Sequence, residues 1–152
     1  MRNLETGMEK EIYRSSPTER TPADLALSPD GERLAVQCVR PASLIILPVS
    51  GGEPQEVSGY GQVATRESPL AWTADGKHIL FLGKATVEDK YELYRISAKG
   101  GNAEPLGLPM AGYGSSSAHP DGRKLLFAAR ETEATAQVWA LENVGKLTAL
   151  SP

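Results

Sequence analysis

Apolar positions along the chain come in short runs, not in helical faces. Leu44 to Ser50 (LIILPVS) is nearly continuous, Arg33 to Val39, His78 to Leu82 and Lys124 to Ala129 are dominated by apolar residues, and Glu92 to Ser97 and Gln137 to Glu142 alternate. Each run is bounded by Asp-Gly or Gly-Gly punctuation. Short runs of this kind between turn signals predict buried or half-buried strands joined by tight turns. No stretch carries a helical period.

The punctuation repeats. SPDGERLAV (Ser28 to Val36), TADGKHILF (Thr73 to Phe81) and HPDGRKLLF (His119 to Phe127) share a turn whose aspartates, Asp30, Asp75 and Asp121, are spaced by 45 and 46 residues. A second turn recurs out of phase with it, at Thr6-Gly7, Gly51-Gly52, Gly100-Gly101 and Val144-Gly145. Each unit therefore holds four strands. Strand A is Asp24 to Leu27, Pro69 to Trp72 and Ser115 to Ala118, and strand B is Arg33 to Val39, His78 to Leu82 and Lys124 to Ala129. Strand C is Leu44 to Ser50, Glu92 to Ser97 and Gln137 to Glu142, and strand D is a short polar segment around Gln55 to Val57, Ala103 to Leu106 and Lys146 to Ala149. Four strands in a period near 45 residues predict an all-β fold, a β-propeller with three four-stranded blades at residues 23–58, 68–107 and 114–150.

The first unit is incomplete. Leu4 to Gly7 aligns with the end of a C strand and its turn, and Lys10 to Tyr13 with a D strand, so residues 4–14 are expected to form an extra outer strand without its own A and B strands. Propellers close with about four to eight blades, and a three-blade arc leaves two apolar blade faces open to water. The expectation is that the chain is a fragment of a larger propeller or associates as a homodimer into a six-bladed ring.

The turn SPDG after strand A, followed on strand B by a basic residue and alternating apolar positions, resembles the TolB-like, WD-repeat-like family of bacterial propellers. The resemblance covers residues 4 to 150; the middle copy departs from it at Ala74, where Pro29 and Pro120 stand in the others. It implies a propeller fold, a bacterial origin, and a role either as an extracytoplasmic binding protein or as a sensor-like soluble region of a signalling protein.

Composition narrows the function without naming it. Sixteen Lys and Arg against 19 Asp and Glu, with no long run of like charge, exclude the electrostatic footprint of a nucleic-acid binder. The apolar runs are far too short to cross a membrane as helices, so no membrane insertion is expected. A single cysteine, Cys38, and two histidines, His78 and His119, give no metal-ligand spacing, and no cofactor motif stands out. The aspartates of the repeated turn suit turn-making, because a carboxylate caps nearby amides and the following glycine takes positive φ easily. Gly114 to His119 is serine-rich but lacks the nucleophile-elbow pattern, so no catalytic residue is assigned.

Candidate binding residues gather at one end of the blades. Arg40, Lys84 and Arg130 end strand B, Arg20 and Arg66 precede strand A, and Tyr60 and Tyr113 sit in Gly-Tyr-Gly segments of the D-to-A connections. Together they predict a partly basic, loop-bearing face that binds a protein or peptide, or an anionic small ligand, although Glu19, Glu67, Glu88, Asp89, Glu131 and Glu133 in the same loops can neutralise it. Each tyrosine can instead pack over the end of its own blade. The leading expectation is a non-catalytic binding scaffold. The alternatives are an accessory or gating propeller of a peptidase-like enzyme and a small-molecule or glycan sensor.

Overall fold

In the computed structural model, residues 4–15, 21–39, 41–62, 70–86, 88–119, 123–132 and 135–143 are described. They form three antiparallel sheets in chain order. The first contains β1 (Thr21–Leu27), β2 (Arg33–Val39), β3 (Ser43–Pro48) and β4 (Gln55–Glu56), hydrogen-bonded in that order. The second repeats it with β5 (Ala71–Trp72), β6 (His78–Gly83), β7 (Glu92–Ser97) and β8 (Glu104–Pro105). The third contains β9 (Gly112–Ala118), β10 (Lys124–Thr132) and β11 (Thr135–Glu142); the expected fourth strand near Lys146 lies outside the described residues.

The meander follows from the turns. In the first blade Ser28 Oγ donates to Asp30 Oδ1, which also accepts the Glu32 N–H at 3.0 Å, while the Arg33 N–H donates to Ser28 Oγ at 2.9 Å. The second blade repeats the pattern: Thr73 Oγ1 donates to Asp75 Oδ1 at 2.7 Å, Asp75 Oδ1 accepts Lys77 N–H, and Thr73 Oγ1 accepts His78 N–H. Gly31 and Gly76 sit at φ 74° and 61°, a conformation that a β-carbon strains. The network consumes the carboxylates of Asp30 and Asp75 as turn acceptors. The corresponding Asp121 and Gly122 lie outside the described residues, but the His119 N–H donates to the Lys124 carbonyl at 2.9 Å, the backbone bond that Ser28 and Thr73 make in their own turns.

Strand alternation gives every blade two apolar faces. Ala35, Leu44 and Ile46 of the first blade pack against Ile79, Phe81 and Tyr94 of the second. The opposite face of the second blade, with Leu80, Leu82 and Leu93, packs against Leu125, Phe127 and Ala129 of the third. Polar clasps hold the first two blades in register: Trp72 Nε1 donates to the Ala26 carbonyl at 2.9 Å, the Leu70 N–H donates to Asp24 Oδ2 at 2.8 Å, and Arg33 donates to the Gly76 carbonyl at 3.0 Å with its guanidinium 4.9 Å from the Trp72 ring centroid. At the outer edge the Gly101 N–H donates to the Ser58 carbonyl, and a β-carbon at Gly59 would lie 1.9 Å from the Gly101 oxygen, so that approach requires glycine.

Residues 10–13 do not form the expected outer strand; apart from a single bridge at Glu9, the described N-terminal segment is irregular. It nevertheless lies beside the first blade. Lys10 Nζ donates to the Ser50 carbonyl, and Tyr13 packs on Val36, Cys38, Ile45 and Leu47. That placement parallels Ser58 of the first blade against the Gly101 turn of the second.

Phe81 is fully buried between blades, touching the rings of Tyr60 and Tyr94. Phe81→Ala is expected to cost about 3–5 kcal/mol of unfolding free energy, read from urea denaturation followed by far-UV circular dichroism. A loss under about 1 kcal/mol would mean that the blades are not packed through this ring.

Candidate functional site

The B-to-C and D-to-A connections come together at one end of the blades. Tyr91 at the start of strand C and Met110 in the following D-to-A connection exchange two backbone hydrogen bonds, at 3.1 and 2.9 Å. Ala111 donates to the Arg130 carbonyl at 2.8 Å, and Gly61 lies so close to the Ala42 carbonyl that a β-carbon would sit 2.7 Å from it. These contacts hold the loops on the stacked sheets.

The structure distributes the candidate binding residues unevenly. Arg20, Arg40 and Arg66 lie outside the described residues. Lys84 is half-buried with its ammonium 4.2 Å from the centroid of the Tyr91 ring, and Arg130 is exposed. Tyr60 is the principal correction: it is 0% exposed, and its ring centroid is 4.6 Å from that of Phe81, so it belongs to the core between blades and offers no binding surface. A short 3-10 helix at Tyr60–Gln62 turns it inward. Tyr113 is half-buried, with its ring centroid 5.3 Å from that of Phe127 and its hydroxyl donating to the Leu108 carbonyl at 2.5 Å. Burial, helped by the charge of Glu92, pushes the Tyr113 hydroxyl up to about 12, so it stays protonated and serves as a donor that closes its own blade.

A pocket of about 400 Å³ opens at this end of the second blade, lined by Ala85, Asp89, Lys90, Glu92, Tyr94 and Pro109. Asp89 Oδ2 accepts the Thr86 N–H at 2.8 Å, which shapes the loop. Tyr94 stacks on Phe81 and is only 4% exposed, and its pKa is raised by burial first and then by the charges of Glu92 and Asp89. None of these residues was singled out in the sequence except Asp89, read there as a neutraliser. The available signal was the i, i+2 spacing of Glu92 and Tyr94 on strand C, which puts both on one face. A wider groove of about 720 Å³ runs between Tyr13 to Ser15 and Pro41, Gly52 and Pro54. Among the described residues no group of three or more His, Cys, Asp or Glu side chains is placed to hold a metal ion.

The acidic turns are structural, and they carry a pH dependence. The Ser28 hydroxyl and the Glu32 amide, with lesser help from Arg33, hold the Asp30 carboxyl down at about 2 against the opposing effect of desolvation. For Asp75 burial alone would raise the value, but the Thr73 hydroxyl, the Lys77 amide and the charges of His78 and Lys77 outweigh it, and the net shift is downward. A depressed carboxyl contributes stability above its unfolded value, about 3.9, and loses it as the pH falls through the folded value. Asp30→Asn should therefore lower the urea midpoint at about pH 6, with the difference from the native chain shrinking as the pH approaches about 2.

Neither a family model nor a curated protein matches the sequence. Solved structures do. TolB from Acinetobacter baumannii superposes with a TM-score of 0.71 at 17% identity over 93% of this chain, and putative TolB from Agrobacterium tumefaciens with 0.59 at 22% identity over 81%. The β-propeller domain of the Trilobed protease from Pyrococcus furiosus, described as having an open velcro topology, gives 0.59 at 16% identity over 84%. The chain spans 34%, 43% and 40% of those three proteins, respectively. Repeated turns, stacked four-stranded blades and these superpositions lead to one assignment: the chain has the fold of TolB-like β-propellers and corresponds to part of such a propeller.

Proposed function

We propose that the chain is a non-catalytic propeller scaffold that binds a protein or peptide at its loop-bearing end. The observation that carries this reading is the convergence of the B-to-C and D-to-A connections on rigidly stacked sheets, with a pocket of about 400 Å³ and a charged rim between them. Peptides selected from a displayed random library against the chain should shift backbone amides in residues 84–91 and 106–113. Shifts confined to the opposite end, at residues 28–33, 50–52, 73–78 and 97–101, would contradict the reading.

The open faces of the arc support a second element, closure by another copy of the chain. Leu25 and Leu27 on the first blade are 62% and 57% exposed, and Leu126 and Val138 on the third are 49% and 83% exposed. Leu126 and Val138 hold the repeat positions of Leu80 and Leu93, which the second blade buries against the third, and Leu27 holds that of Trp72, buried against the first. Contact between copies thus extends an interface the chain already makes twice, and a head-to-tail contact of this type closes if the rotation permits. Light scattering is expected to give twice the chain mass, and Val138→Asp, at an exposed position, to give a folded monomer. A native chain that stays monomeric across a concentration series would exclude this closure.

The likeness to a protease's propeller domain favours one other reading, an accessory or gating propeller beside a catalytic domain. A nucleophile-elbow sequence in the flanking coding region supports it, and flanks that encode only further blades count against it.

A further inference from the structure

The loop-bearing end was expected from sequence to be partly basic, yet the pocket of about 400 Å³ at the end of the second blade is biased the other way. Two carboxylates, Asp89 and Glu92, line it against a single ammonium, Lys90. Glu92 is half-buried, and neither it nor Lys90 makes an ion pair among the described residues. The Tyr94 ring is buried and fixed against Phe81, while its hydroxyl makes no hydrogen bond to a described residue and is not among the buried unpartnered polar atoms, so it meets solvent at the pocket. Lys84, the other nearby cation, is held over the Tyr91 ring.

A half-buried carboxylate with no ion pair among the described residues and a phenol oxygen open at the same pocket form a pair of acceptors. Both are satisfied by a group that only donates hydrogen bonds and carries positive charge. Ala85, Pro109 and the Tyr94 ring supply apolar wall for an aliphatic stem, and a guanidinium suits such a site better than an ammonium because it is less strongly hydrated and presents a fork of donors. We infer that the pocket lined by Ala85, Asp89, Lys90, Glu92, Tyr94 and Pro109 receives an arginine side chain from the bound protein or peptide, with Glu92 and Asp89 as its counter-ions and Tyr94 as a hydrogen-bond acceptor. The inference rests on the reading of this end as a protein-binding face and names the chemistry of the partner.

The test is an amide-shift titration of the isotope-labelled chain with a blocked arginine, N-acetyl-arginine methylamide, as the probe. Saturable shifts are expected in residues 85–94 with a dissociation constant on the order of millimolar, as a single side chain can give. Glu92→Gln should weaken binding by about tenfold and Tyr94→Phe by about threefold, while Lys90→Gln should tighten it severalfold by removing the competing ammonium. Unchanged shifts elsewhere in the spectrum show that each variant is folded. Absence of saturable shifts in residues 85–94, or equal affinity in Glu92→Gln, would overturn the inference, and weaker binding in Lys90→Gln would point to an anion site in its place. Blocked arginine that binds as expected while no selected peptide maps to this end leaves the pocket standing and removes the wider protein-binding reading. Peptides that map here without a response to blocked arginine do the reverse.

Discussion

Everything in this chain depends on burying both faces of each blade. A four-stranded sheet whose strands alternate between two apolar sets has no side that suits water, so it is stable only between neighbours. The second blade shows the satisfied state: Ile79 and Phe81 face one neighbour, Leu80 and Leu82 the other, and all four are buried. At roughly 1.5–3 kcal/mol for each fully buried large side chain, these faces outweigh the few hydrogen bonds between blades, which set register more than stability. The clasp of Trp72, Ala26, Arg33 and Gly76 illustrates the division: the rings and aliphatic chains supply the burial, and the two hydrogen bonds fix how the sheets are rotated.

The same constraint explains the ends. The first blade's outer half is covered by Tyr13 from the N-terminal segment, which keeps Val36, Cys38, Ile45 and Leu47 buried, while its inner strand leaves Leu25 and Leu27 open. The third blade has no such cover over Leu126 and Val138 among the described residues. Stacking also serves function, because loops mounted on fixed sheets hold their side chains in place. Tyr94 is the link between the two roles, with its ring in the core between blades and its hydroxyl at a surface pocket.

The sequence made the repeat, the turn chemistry and the inner strands legible because each is governed by local rules. β2 and β7 coincide with the apolar runs, and Asp30 and Asp75 act within five residues of themselves. What depends on distant partners was harder to read. β4 and β8 are only two residues long, since polar outer strands are held by backbone pairing and carry little pattern. Tyr60 looks like a recognition residue between two glycines, and only its contact with Phe81 in the second blade reveals it as core. The pocket escaped notice for a related reason: Glu88 and Asp89 read only as neutralisers of a basic rim, and the path of the chain decides which charges line a pocket.

Strand-resolved amide hydrogen exchange on dilute protein tests the role of blade stacking most directly. β6 and β7, covered on both sides, should exchange most slowly, β1 and β11 markedly faster, and raising the concentration should slow β1 and β11 while leaving β6 and β7 unchanged. Equal protection of β11 and β6 in dilute solution would contradict the account, because a blade with an open apolar face would then be as stable as one enclosed by neighbours.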